Sequence, residues 1–155
     1  MRSDPRFDGR IRRLAATSVV ALGLIWLLAE LTLDAHPAIG ATLAGGWVLM
    51  PAVLWLSLGR PALRYGLAVP STLVTVGLAA ICVTALPADA AVRAGWQLVT
   101  AGILCGGLLG IWFWFRWLPV PAALHEPFAL GRSLLIGIHV ALIVVGLLLV
   151  GIGGL

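Results

Sequence analysis

The sequence contains little charge. Only 10% of its 155 residues are Asp, Glu, Lys or Arg, whereas 61% are hydrophobic and the mean hydropathy is +1.09. Soluble domains carry about a quarter charged residues. A chain this poor in polar side chains cannot cover a globule in water, which argues against an ordinary soluble domain and favours a protein dissolved in lipid.

Catalytic and redox motifs are also missing. The sequence has no HExxH, GxSxG, Walker or dinucleotide-binding pattern. Its two cysteines, Cys82 and Cys105, form no CxxC pair and lie at predicted depths about 9 Å apart, so we expect no disulfide. His125 and Glu126 are neighbours in a loop, but adjacency alone does not make an acid and base pair. We therefore expect a protein that is not an enzyme.

Five hydrophobic runs dominate what is present. Each has roughly 20 residues or more, which at 1.5 Å per residue is enough to cross about 30 Å of hydrocarbon. We place them at residues 14–33, 39–58, 67–86, 94–118 and 130–152. The connecting segments are too short for a soluble domain, and no repeat is visible. The sequence thus predicts an all-α fold, with residues 1–155 forming a single bundle of five transmembrane helices.

The arginines predict the orientation of this bundle, because cytoplasmic flanks of membrane spans retain positive charge. Only Arg93 falls on the opposite side from the other arginines, which are Arg2, Arg6, Arg10, Arg12, Arg13, Arg60, Arg64, Arg116 and Arg132. We expect a cytoplasmic amino terminus and an external carboxyl terminus, in a bacterial inner or plasma membrane. The net charge of +4 is spread over these flanks, so no nucleic-acid partner is expected.

The segment "GIWFWFRWLPVP" concentrates aromatic residues at the cytoplasmic end of the fourth predicted span. Trp112, Trp114 and Trp117 with Arg116 fit an aromatic belt at the headgroup boundary, and Trp96 marks the opposite boundary of the same span. A headgroup or quinone site at this edge is the alternative.

A second group of unusual residues is predicted near the middle of the bilayer. Trp26 and Trp47 share a depth by residue counting, and Pro51 leaves the Trp47 carbonyl without its helical donor. His139 is the only ionisable residue this deep. It could ligate a haem or chlorophyll-type pigment, or help to bind a quinone. The alternative is a neutral imidazole that is hydrogen-bonded to the Thr75 hydroxyl or to the Trp47 carbonyl.

Two smaller patterns complete the candidate sites. Glu30 and Asp34 are spaced to share a helical face, with His36 close behind, which allows a weak metal site or simply a hydrated rim. Gly102, Gly106 and Gly110 repeat every four residues and predict a groove for close helix packing. That groove could close the bundle or receive a helix of another protein.

Two classes of function follow. The first is a non-catalytic integral membrane subunit or assembly factor of a larger membrane complex, with the lipid bilayer and other membrane subunits, or further copies of itself, as partners. The second is a binder or carrier of a lipophilic or metal-containing ligand around His139, Trp26 and Trp47.

Overall fold

A computed structural model describes residues 5–58, 60–85, 87–110 and 129–154 of the chain. All regular elements in these ranges are helical. The five α-helices are α1 (Pro5–Thr32), α2 (Pro37–Leu56), α3 (Ala68–Thr84), α4 (Ala90–Gly102) and α5 (Ala129–Gly154). A 3₁₀ segment, Pro61–Leu67, precedes α3, and a π-helical segment, Ile103–Leu109, continues α4.

Within the described ranges, four helical segments are long and apolar enough to cross a membrane: Gly9–Thr32, Pro37–Leu56, Ala62–Thr84 and Ser133–Gly154. They indicate a multi-pass membrane protein whose described elements are all helical, and they match four of the predicted runs to within five residues. The fifth predicted run, 94–118, is helical as far as Gly110. Residues 111–118, with Trp112, Trp114, Arg116 and Trp117, lie outside the described residues, as do His125 and Glu126.

Helix starts follow local chemistry. At α2 the His36 imidazole accepts a hydrogen bond from the Ala38 amide at 3.2 Å, and Pro37 has no backbone N–H and therefore needs no acceptor at the first helical position. At α4 the Asp89 carboxylate accepts from the Val92 amide at 2.9 Å. Each of these caps begins a helix directly after the preceding turn, so the loops before α2 and α4 are short.

The core is formed by apolar side chains from all five α-helices. Its most deeply buried members include Ile25, Leu78, Ile81, Trp96, Val99 and Val150. Trp96, which the sequence predicts to mark one boundary of the fourth span, is fully buried instead of facing the headgroups. Its Nε1 donates to the Thr32 hydroxyl at 3.3 Å.

The most extensive helix contact joins α4 to α5 and depends on glycine. A Cβ atom on Gly95 would lie 2.6 Å from the Gly146 carbonyl oxygen, and a Cβ on Gly146 would lie 2.6 Å from the Gly95 oxygen. Farther along, a Cβ on Gly102 would lie 2.9 Å from Ile143. Lipid provides no hydrophobic drive between helices, so such backbone approach supplies the van der Waals contact instead.

The carboxyl ends of α1 and α5 lie together. A Cβ on Gly154 would be 2.6 Å from the Thr32 methyl group, and one on Gly153 would be 3.0 Å from the Asp89 carboxylate. The end of α1, the start of α4 and the end of α5 therefore meet at one end of the bundle.

We predict that Gly146→Ala destabilises the protein by about 1–3 kcal/mol, because the added methyl group overlaps the Gly95 backbone. Gly151→Ala is the matched control on the same helix, since a Cβ there meets no atom within 4 Å. It should be neutral or stabilising by up to about 1 kcal/mol, the helix propensity difference. Equal unfolding midpoints for the two variants in detergent would contradict the packing described.

Candidate functional site

His139 on α5 is held against the backbone of α4. Its Nδ1 lies 2.6 Å from the Gly102 carbonyl oxygen, and the ring fills the space where a Gly106 side chain would be. A larger residue at Gly106 would overlap the imidazole itself. The two glycines therefore admit the ring to the α4 backbone, at the point where α4 passes into its π-helical segment.

This hydrogen bond fixes the tautomer of a neutral imidazole. A carbonyl oxygen only accepts, so Nδ1 carries the proton and donates it to Gly102. Nε2 then bears the lone pair. A histidine whose Nδ1–H is held by a backbone carbonyl and whose Nε2 is basic has the arrangement found in histidine metal ligands.

The two hydrogen-bond partners expected for His139 were wrong. The Thr75 hydroxyl donates to the Ser71 carbonyl at 2.7 Å, and the partner of His139 is Gly102 rather than Trp47. Residue spacing had indicated the glycine groove, but it could not show that α5 would be the helix that fills it. Gly110, the third glycine of the predicted groove, makes only ordinary contact, since a Cβ there would lie 3.9 Å from Leu135.

The two deep tryptophans do form a pair. The rings of Trp26 and Trp47 stack with centroids 6.0 Å apart and planes inclined by 19°. Trp47 Nε1 donates to the Val19 carbonyl oxygen at 3.0 Å, and Gly23 leaves room for this ring, because a Cβ there would lie 2.8 Å from Nε1. The pair thus belongs to the contact between α1 and α2, whereas His139 belongs to that between α4 and α5.

Glu30, Asp34 and His36 are not brought together as metal ligands. Helix α1 ends at Thr32, so Asp34 lies beyond it and does not share a helical face with Glu30. The His36 Nδ1 is engaged in capping α2. Within the described ranges, no three His, Cys, Asp or Glu side chains are placed to hold one metal ion.

A cleft that the sequence did not reveal opens beside the tryptophan pair. It has a volume of about 420 Å³ and is lined by residues of α1, α2 and α3, among them Trp26, Glu30, Gly40 and Ile81. The spacing of Trp26 and Glu30, one helical turn apart, was the available signal. The sequence pattern that groups Glu30 with Asp34 does not predict this cleft.

Two further aromatic residues and the two cysteines occupy structural positions. Trp55 and Tyr65 are about 60% exposed, as residues of an aromatic belt would be. The Cys82 sulfur lies 3.3 Å from the Thr100 hydroxyl, and both Cys82 and Cys105 are free thiols.

No family model matches the chain, and no curated protein or solved structure is similar to it. Its function is therefore argued from its own residues.

Proposed function

We propose that this protein is a small non-catalytic integral membrane subunit, or assembly factor, of a larger membrane complex. The described loops are short, and nearly all described residues belong to helices. These helices offer extended apolar surfaces to other membrane proteins.

The observation that carries this proposal is the free side of α5. Leu134, Ile138, Ala141, Val145, Leu148 and Ile152 are all exposed and follow one another at intervals of four and three residues. We call this set the outer stripe. The same spacing forms the seam of packed helices in coiled coils and membrane bundles. Only 11% of the span containing α5 is buried, against 44% of the span containing α3. The outer stripe is therefore the surface on which we place the partner's helix.

We further propose five spans, with a cytoplasmic amino terminus and an external carboxyl terminus in a bacterial inner or plasma membrane. The contact of Thr32, at the end of α1, with Gly154, at the end of α5, supports an odd number of spans. Helices whose carboxyl ends meet run in the same direction. The arginines in and just before the first turns of α1, together with those that follow α2, support the assignment of the cytoplasmic side.

A second function is favoured by the geometry of His139, and it is compatible with the first. In this proposal the protein holds a ligand whose metal is bound by Nε2. The hydrogen bond from Nδ1 to Gly102 leaves Nε2 as a Lewis base without a proton to donate. A quinone carbonyl needs a donor, so a haem or chlorophyll-type pigment suits this nitrogen better than a quinone.

For the subunit proposal, we predict that the tagged protein purifies from its native membrane, in mild detergent, with other membrane proteins in fixed stoichiometry. Val145→Trp in the outer stripe should release these partners. Val76→Trp is the control, because Val76 is also exposed, at 57%, but lies on α3. A wild-type chain that elutes alone would contradict the proposal, and one that elutes only with copies of itself would replace it by a homo-oligomer.

For the topology, we predict that a reporter fused to the amino terminus is active only in the cytoplasm and one fused to the carboxyl terminus only outside. Both termini in one compartment would mean an even number of crossings. That result would remove the five-span arrangement while leaving the four candidate spans in place.

For the ligand proposal, we predict that the purified protein reconstituted with haem shows a Soret band that His139→Gln lacks. Glutamine retains a donor for the Gly102 carbonyl but cannot serve as a comparable axial ligand to the metal. Cys105→Ser, next to Gly106 in sequence, should keep the band. If wild type and His139→Gln have the same spectrum, His139 is a packing residue.

A further inference from the structure

The cleft between α1 and α2 combines apolar side chains with an aromatic ring and a carboxylate. At about 420 Å³ it falls in the size range of small-molecule sites, and the side chains that line it are apolar apart from the Glu30 carboxylate and the Trp26 indole. It extends from the loop between the two helices to the ring of Trp26. By residue counting along α1, from Leu33 to Trp26, this is about 10 Å.

The carboxylate is turned toward α2. Glu30 Oε1 lies 3.2 Å from the position that a Cβ on Gly40 would occupy, so the absence of a side chain at Gly40 makes room for it. Glu30 follows Trp26 by one helical turn, which puts both on the face of α1 that lines the cleft.

The aromatic wall is supported from behind. Trp26 stacks on Trp47, and Trp47 is itself held by its hydrogen bond to the Val19 carbonyl. A ring supported in this way presents a fixed surface to a ligand, so little side-chain freedom is lost on binding.

We propose that this cleft binds a hydrophobic organic cation, an amphipathic molecule with a delocalised or substituted positive charge. A carboxylate and an indole attract such a cation together, the first by charge and the second by its ring electrons. The apolar walls accept the rest of the molecule. An inorganic divalent cation is a poor fit, because it requires several oxygen ligands and the lining offers one carboxylate. This site is separate from the outer stripe and from His139, and it does not depend on either.

The test uses the purified full-length chain in non-ionic detergent, with tetraphenylphosphonium as the probe and equilibrium dialysis as the measurement. We expect saturable binding that Glu30→Gln weakens about tenfold or more, which corresponds to the loss of roughly 1.4 kcal/mol. Asp34→Asn is the matched control, since it removes a nearby exposed acid that does not line the cleft. It should bind as wild type does.

Two further measurements make the outcome decisive. Triphenylphosphine oxide, which is uncharged, should fail to compete with the probe. Gly40→Leu should abolish binding by filling the space beside Glu30. Equal unfolding midpoints for Glu30→Gln and wild type would show that the exposed acid is not needed for folding. Equal affinity of Glu30→Gln and wild type, or equal competition by the neutral compound, would overturn the proposal and assign the binding to partition into detergent.

Discussion

The close approach of α4 and α5 at Gly95 and Gly146 is the contact on which the rest of the described bundle depends. In lipid, apolar side chains gain nothing by leaving one hydrocarbon for another, so helices associate where their backbones can come near. The two glycines provide that approach, each next to the other's carbonyl oxygen. From this contact the helices run side by side to Gly102 and Gly106, and so the imidazole of His139 reaches a backbone carbonyl on the neighbouring helix.

Glycines also leave room for polar side chains within the bundle. Trp47 reaches the Val19 carbonyl because Gly23 has no side chain, and Glu30 turns toward α2 because Gly40 has none. Burying a polar group without a partner is unfavourable in an apolar medium, and the space at Gly23 lets Trp47 Nε1 reach its acceptor, the Val19 carbonyl oxygen. The glycines thus determine where polar atoms can lie as well as where helices can touch.

The candidate sites could be predicted only in part. Residue counting placed Trp26 and Trp47 at one depth, and they are stacked. It placed His139 deep in α5 but gave it the wrong partners, because depth along a helix does not say which helix is adjacent. Glu30 was assigned to the wrong neighbour for a related reason. The helical face it was expected to share with Asp34 does not exist, because α1 ends at Thr32, and its cleft needs residues from three helices to be seen.

The sequence by itself predicted a multi-pass helical membrane protein and, to within five residues, the ends of four candidate spans, because hydrophobic length and loop composition act locally. Only the tertiary structure decided that α4 pairs with α5, that Gly102 accepts from His139, that Trp96 is a core residue, and that Trp26 and Glu30 share a cleft. These depend on the rotation of each helix about its axis and on the choice of neighbour. In a chain that is apolar on nearly every face, the hydrophobic pattern leaves both undetermined, and the contacts of small residues fix them.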